Sequence, residues 1–330
     1  MSSNVIVVSV IIPVLNEEKY IAACLNSILE QDFNKENMEI LIADGGSTDN
    51  TRAIVDKFIS DYPELIRILE NKGRIQSCAM NVGIANARGK YIMRLDAHAD
   101  YAEDYISKCV HYLDTTDADN VGGVAETKAH TVTGKAISKM LSSPFGVGNS
   151  QFRTGGESGY VDTVPFGCFR KEVFEKLGGF NEDLARNEDN EINHRIISNG
   201  GKVYLASDIH FTYYCRETVK DICKMAYENG KWTIIASRLI PGAMRLRHFI
   251  PFIFVLSLFV LSIGSFLTKY AFYLLLMDLG AYFLCDLFFS CKIASCFSEA
   301  LRLIILHLVF HISYGVGSFK GIFFKEITLI

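Results

Sequence analysis

The chain is 330 residues long, enough for one large α/β domain and a smaller region. Its 33 basic and 37 acidic side chains leave a net charge of -4, which offers no global attraction to nucleic acid. Hydrophobic residues make up 49% of it and the mean hydropathy is +0.19, high for a fully soluble protein, while the nine cysteines show no C-x-x-C pair. Those thiols read as reduced and mostly buried in a cytosolic setting, which excludes a disulfide framework or a zinc site of ordinary spacing.

Up to about residue 125, short apolar runs alternate with helical patterns, which predicts βαβ units and a parallel sheet. Residues 5–14 form a buried first strand; no basic segment precedes them and Asn16, Glu17 and Glu18 follow at once, so they do not read as a signal peptide. Tyr20, Ile21, Ala22, Leu25, Ile28 and Leu29 share a helical face, and residues 38–43 give a second strand. Ser47 or Thr48 is placed to cap the next helix, whose apolar positions are Ile54, Val55, Phe58 and Ile59. Residues 66–69 are a third strand, 77–87 a helix of small residues ended by Gly89, and 91–95 a fourth strand.

The middle is less regular and rich in glycine, with a long loop over residues 143–160, a strand over 161–169, and a helix over 187–199. Asn187 is the expected N-cap of that helix and Gly200 lies past its end. Beyond Arg245, Arg247 and His248 the composition changes. Residues 249–268 carry no charge over a length that can cross a bilayer and give the strongest transmembrane signal. Residues 270–291 carry Asp278 and Asp286, and 303–319 carry His307 and His311; these are weaker candidates, either spans packed on the first or helices lying in the interface. The expected division is therefore a catalytic domain of residues 1–245 and a membrane region of residues 246–330.

Three strand ends are loaded with acidic and amide groups: Pro13, Asn16 and Glu17 after the first, Asp44 with Gly45 and Gly46 after the second, and Asp96 with His98 after the fourth. In an open α/β sheet, ligands sit beyond the carboxyl ends of the strands, so these groups face one crevice. A carboxylate there can accept the N3–H of uracil or a ribose hydroxyl. Asp96 and His98, two apart on an extended exit, would share one side and suit Mg²⁺ or Mn²⁺, the imidazole favouring the latter. Asn187, Glu188, Asp189, Asn190 and Glu191 open a helix at the sheet edge. Alone, four acceptor side chains there could simply satisfy the helix dipole, yet an ionised carboxylate so placed can also take a proton from a hydroxyl. Lys231 and Trp232, the latter the single tryptophan, stand just before the membrane region, where they are either an ordinary amphipathic helix or contacts for a diphosphate and an acceptor.

Taken in order, Val-Ile-Ile-Pro-Val-Leu-Asn-Glu, Ala-Asp-Gly-Gly-Ser-Thr-Asp, the segment from Asn81 to Ile92, Arg-Leu-Asp-Ala-His and Asn-Glu-Asp-Asn-Glu resemble the family 2 glycosyltransferases of GT-A fold. Within them the chain resembles the succinoglycan-biosynthesis-type, membrane-attached enzymes of bacterial exopolysaccharide and capsule synthesis. The resemblance covers roughly residues 7–250. It implies a Rossmann-like mixed sheet that binds a nucleotide-sugar, with transmembrane helices at the C-terminal end.

Position by position, the resemblance places Pro13, Asn16, Glu17 and Asp44 on the nucleotide, with Asp44 at the uracil edge. Asp96 falls on the first Asp of the D-x-D metal motif, contacting the donor's ribose or the metal, Asp189 on the catalytic base, Glu188 on its orienting neighbour, and the Gly230-Lys231-Trp232 segment on the R-W motif near the acceptor. It further implies an inverting, Mg²⁺- or Mn²⁺-dependent hexosyl transfer from a UDP-sugar to a lipid-linked or growing saccharide. The setting would be the inner (plasma) membrane, with the catalytic domain in the cytoplasm and other polysaccharide-assembly enzymes as further partners. His98 stands where an Asp is usual, Gly46 replaces an acidic residue, and Lys231 replaces Arg without a Q-x-x-R-W context. The last departure, with so few hydrophobic segments, argues against a processive synthase. Two rivals are a non-catalytic membrane adaptor that keeps the nucleotide-sugar module and a nucleotidyltransferase. The latter needs a Gly-rich basic loop after the first strand, where this chain has Asn16, Glu17 and Glu18.

Overall fold

The structure is a computed structural model, described here for residues 5–324. In chain order the elements are β1 (Val8–Val14), α1 (Ile21–Leu29), β2 (Met38–Asp44), α2 (Thr51–Asp61), β3 (Ile66–Glu70), α3 (Gln76–Asn86), β4 (Tyr91–Arg94), β5 (Ala99–Tyr101), α4 (Tyr105–Thr115) and β6 (Asn120–Lys128). Three helices follow, α5 (Val132–Leu141), α6 (Pro144–Val147) and α7 (Gln151–Thr154), then β7 (Gly159–Tyr160), β8 (Cys168–Arg170), α8 (Lys171–Leu177), α9 (Glu188–Ser198) and β9 (Val203–Tyr214). The chain continues through α10 (Val219–Leu239), α11 (Ile250–Ser265), α12 (Lys269–Ile293) and α13 (Phe297–Ile322). Two compact units result: one runs up to Glu126 and adds Gly155–Tyr213, the other joins Thr127–Thr154 to the chain from Tyr214 onward.

The first unit is built on one mixed sheet of order β3-β2-β1-β4-β8-β6-β9-β5, with β7 paired to β9. β1 and β2 are almost wholly buried, as expected of central parallel strands covered on both faces. Their register sets Val14 beside Asp44, and β4 joins in parallel with Arg94 beside Ile11, so three strands end along one edge. β8 then runs antiparallel to β4. The buried Glu39 of β2 accepts from Ser9 Oγ at 2.7 Å and from Arg67 and Arg88 at 2.9 Å each, which compensates a carboxylate inside the sheet.

Several expectations need correction. The first strand starts at Val8 and not at residue 5. α2 starts at Thr51, past Ser47 and Thr48, which are drawn instead toward the ends of β1 and β2. The loop expected over residues 143–160 contains α6, α7 and β7. The strand expected over 161–169 is confined to Cys168–Arg170, because Pro165 has no N–H for a ladder and Phe166 has φ 47°. Asn187 is the N-cap of α9 by position, with φ 67°, but its side chain makes no capping hydrogen bond.

In the second unit the ranking of hydrophobic segments is reversed. Pro251 opens α11 and Thr268 caps α12, leaving α11 with 16 residues. Such a helix rises about 24 Å, short of the roughly 30 Å hydrocarbon core. Among the described residues, two helices are long and apolar enough to cross a membrane: α12, with 25 residues, and α13, with 26. Asp286, His307 and His311 are turned inward: His307 Nδ1 lies 2.8 Å from Asp286 Oδ1, Ser290 Oγ donates to the same oxygen at 2.9 Å, and Tyr282 meets His311 at 2.9 Å. Inward pairing is what allows charge-bearing residues in so apolar a helix set. α11 and α12 meanwhile turn Ile253, Phe259, Ile263, Phe272, Met277 and Phe288 outward.

α10 and α13 approach backbone to backbone. A Cβ at Gly230 would lie 1.9 Å from the Tyr314 carbonyl oxygen, and one at Gly317 would lie 1.9 Å from that of Tyr227. Both distances are sterically forbidden to any side chain, so Gly317→Val should lower the thermal midpoint of the detergent-purified protein, by about 1–3 kcal/mol or more of overpacking. Gly280→Ala, with nothing within 4 Å of the added carbon, should leave it unchanged. Equal midpoints for the two variants would mean that this contact does not hold the helices together.

Candidate active site

The exits of β1 and β2 are laced together by side-chain oxygens that receive backbone N–H groups. Asn16, in the left-handed region at φ 59°, donates its N–H to Ser47 Oγ at 2.9 Å, and its own Oδ1 accepts from Thr48 N at 2.8 Å. Glu17 N–H donates to Thr51 Oγ1 at 2.7 Å, Glu18 N–H to Asp49 Oδ2 at 3.2 Å, and Glu18 Oε2 accepts from Asn50 N at 3.0 Å. Pro13 lies half-buried at the end of β1 opposite Ala43.

Asp44 is the floor of this junction. Its Oδ1 accepts from Ser47 N at 3.0 Å and Ser47 Oγ at 2.7 Å, whereas Oδ2 is buried without a hydrogen bond, with Arg52 Nη1 3.5 Å away. A cavity of about 340 Å³ opens here, lined by Asp44, Arg52, Glu70, Asn71, Lys72 and Arg74 among others. Asn71 Oδ1 is a second buried acceptor without a partner. Two unfilled acceptors beside three cations suit a ligand with N–H donors at one end and anionic oxygens at the other. Arg52, Asn71, Lys72 and Arg74 were not singled out from the sequence; the one local signal was the basic character of a segment that Arg74, at φ 60°, folds back.

Beyond β4 the chain is not extended. The strand ends at Arg94, and Ala97 and His98 form a turn, so the same-side argument for Asp96 and His98 does not hold. The two side chains have different neighbours. Asp96 Oδ1 accepts from Gln76 Nε2 at 2.8 Å and Arg94 Nε at 3.3 Å, and Tyr101 Oη accepts from the Asp96 N–H at 2.7 Å. His98, 35% exposed, sets Nδ1 3.5 Å from Glu17 Oε1 and its ring edge-on to Tyr20.

The start of α9 supplies the third group. Glu191 is consumed structurally, since Arg195 Nη2 donates to it at 2.6 Å and reaches on to the Gly179 carbonyl at 2.9 Å. Asn193 likewise bonds Thr163 and Asn120, locking the helix to the sheet. Glu188 and Asp189 turn instead to Arg94, whose Nη1 donates to Glu188 Oε1 at 3.1 Å and also to Asp189 Oδ1. Sequence reasoning did not single out Arg94, which is 4% exposed and joins Asp96, Glu188 and Asp189. Burial pushes the Asp189 carboxyl up to about 7; Arg94 opposes the shift, and the neighbouring Glu188 and Asp96 carboxylates add to it. Lys231 and Trp232 belong to the second unit, on α10, where Lys231 Nζ lies 3.6 Å from Glu228 Oε2 and 4.9 Å from the centre of the Phe324 ring.

A sequence profile described as "Glycosyl transferase family 2" matches residues 9–178. The chain belongs to this family. It is 31% identical over 247 residues to "Succinoglycan biosynthesis protein ExoA" of Rhizobium meliloti, covering 73% of each chain. Over 324 residues it is 30% identical to the "Dolichyl N-acetyl-alpha-D-glucosaminyl phosphate 3-beta-D-2,3-diacetamido-2,3-dideoxy-beta-D-glucuronosyltransferase" of Methanococcus voltae, covering 96% of this chain and 97% of the relative. In fold it is similar to the mannosyltransferase PcManGT of Pyrobaculum calidifontis, solved with GDP-Man and Mn²⁺: the TM-score is 0.65 at 18% identity, over 97% of this chain and 88% of the other. The mixed sheet is thus that of a GT-A transferase, and this family 2 protein is a glycosyltransferase.

A carboxyl raised by burial binds a proton at higher pH than it would in water, so Asp189 charges only as pH rises through about 7. Difference titration of the family 2 protein against its Asp189→Asn variant should show one proton released with a midpoint near 7. A midpoint near 4, the ordinary carboxylate value, would mean that the pairing with Arg94 fully offsets the burial.

Proposed function

We propose that the protein transfers a single sugar, with inversion, from a UDP-sugar to a lipid-linked or growing saccharide in cell-surface glycan synthesis. The observation that carries this reading is the pairing of an unfilled buried acceptor, Asp44 Oδ2, at an open cavity of about 340 Å³ with a carboxyl raised to about 7, Asp189, at the start of α9. On this reading residues 1–245 do the chemistry and residues 246–330 hold the enzyme to the membrane. The catalytic part then faces the cytoplasm, where nucleotide-sugars and other assembly enzymes are met.

Asp44 receives the N3–H of uracil, and Pro13, Asn16 and Glu17 shape the wall of the nucleotide site. Asp189, once ionised, takes the proton of the acceptor hydroxyl; that oxygen bonds to the anomeric carbon as the bond from this carbon to the diphosphate oxygen breaks, and UDP departs. Glu188 stays beside the base and keeps it oriented. Lys231 and Trp232 are assigned to the acceptor side.

Asp96 and His98 are the side chains that would hold a divalent cation, with Glu17 next to His98. Among the described residues no three His, Cys, Asp or Glu side chains converge on one point. Mg²⁺ needs only one or two protein carboxylates where substrate phosphates complete its shell. When bound, the ion neutralises charge on the departing diphosphate.

UDP release by purified membranes, screened across donors, tests the activity. Asp189→Asn should retain UDP binding and lose on the order of 10² to 10⁴ in turnover, the usual span for a missing general base. Wild-type turnover in that variant removes Asp189 as the base, and donor binding without any turnover in the wild type would make the protein a nucleotide-sugar-binding adaptor. Asp44→Asn presents an N–H₂ where an acceptor stood, so affinity for UDP should fall about 10- to 100-fold, the range for one lost hydrogen bond to a charged group. Were GDP to displace bound donor as well as UDP does, the uracil assignment of Asp44 would be wrong.

A further inference from the structure

We infer that Arg94 is a positioning residue of the transfer, one guanidinium that fixes the donor-side carboxylate Asp96 and the base Asp189 relative to each other. This rests on the roles assigned above to Asp96 and Asp189.

Arg94 is held first by its backbone. It is the last residue of β4, paired with Ile11 of β1, and its N–H donates to the Gly167 carbonyl at 3.0 Å, while the next N–H, of Leu95, donates to Ile11 O at 3.0 Å. Its guanidinium carbon lies 5.9 Å from the centre of the Phe166 ring, and Phe166 is itself buried. A side chain rooted in the sheet and 4% exposed cannot reach a substrate, so it acts through its neighbours.

Those neighbours come from two elements, Asp96 from the exit of β4 and Glu188 and Asp189 from the start of α9. Nε serves Asp96, and Nη1 serves both Glu188 and Asp189. The planar fork of arginine presents these donors in fixed directions, which a lysine ammonium cannot do. Asp96 has further support from Gln76 and Tyr101, whereas the Asp189 carboxylate, 24% exposed, is held by Arg94. One cation also carries three acidic side chains. When Asp189 takes up a proton its attraction to Arg94 weakens, yet Asp96 and Glu188 continue to hold the guanidinium. The base can therefore change charge while the distance between donor and base is kept. Glu188, buried and next to the base, supplies the constant half of that hold.

The test uses the full-length protein in detergent or nanodiscs, with UDP release as the assay. Arg94→Lys keeps a charge but loses the fork; it should bind UDP within about threefold of wild type and lose about 10² in kcat, the effect expected of a misplacement near 1 Å. Arg94→Gln removes the charge and the fork together and should lose both thermal midpoint and kcat, whereas Arg94→Lys should keep most of the midpoint while losing kcat. Wild-type kcat in Arg94→Lys would show Arg94 to be a charge-balancing residue only. A loss in Arg94→Lys that lies wholly in donor KM would also overturn the inference, because it would place Arg94 on the donor. Failure of the underlying reading looks different: Asp189→Asn would then turn over like wild type, whatever the Arg94 variants do.

Discussion

The donor side of the site depends on two strand exits that brace each other. β1 and β2 run side by side in register, so their chain exits emerge together and must dispose of a cluster of backbone N–H groups beyond the sheet. Asn16, Ser47, Asp49 and Thr51 each supply a side-chain oxygen for one of these. The polar residues near both exits are thereby mostly spent on each other. What they leave over is the informative part: Asp44 Oδ2, buried beneath the junction without a hydrogen bond. An acceptor kept unfilled beneath two exits whose other side-chain oxygens are mostly filled is a place for a donor from outside.

On the other side of the crevice the constraint is the burial of charge. Glu188 and Arg94 are almost fully enclosed, and Asp96 and Asp189 partly so. Enclosed carboxylates persist only with a compensating cation, and a single arginine compensates three of them. Burial above all, with the neighbouring Glu188 and Asp96 carboxylates adding to it against the pull of Arg94, leaves Asp189 easier to protonate than an ordinary carboxyl. In a solvated loop the same residue would be a permanent anion and a weak base; the crowding that makes it expensive to ionise also makes it able to hold a proton.

Much of this was legible in the sequence because it is local. Apolar runs ending in Asn16, Asp44 and Asp96 mark strand ends, and the acidic start of α9 is visible as a block. The parts that were not legible depend on contacts far along the chain. Arg94 is two residues from Asp96, yet its significance comes from Glu188 and Asp189, more than ninety residues away. Ser47 looked like a helix cap because nothing local shows that Asp44 and Asn16 compete for it. The turn at Ala97 and His98 follows from the short β5, whose pairing with β9 cannot be read from residues 91–98. Gly230 belonged to a segment read for its Lys and Trp, whereas its lack of a side chain has a packing cause, the Tyr314 carbonyl against it.

The same distinction decides how the C-terminal helices should be read. Hydropathy and length treat a helix as uniform along its axis, and by that measure α12 and α13 are alike. Packing separates them. The first half of α13 opens Phe297, Leu301, Ile305 and Leu308 to the outside, but the second half closes Tyr314, Gly317, Ser318 and Gly321 against α10, a helix that carries Lys220, Asp221, Lys224 and Glu228. A helix with that many charges is not itself a span, and whatever lies against it is shielded from lipid on that face. α12 keeps its apolar residues exposed along its length, from Tyr270 to Phe288. Apolar length is thus used twice in this unit: in α12 as an exposed surface long enough to cross a membrane, and in the second half of α13 as a bed for a polar helix, made possible by glycines where a side chain would not fit.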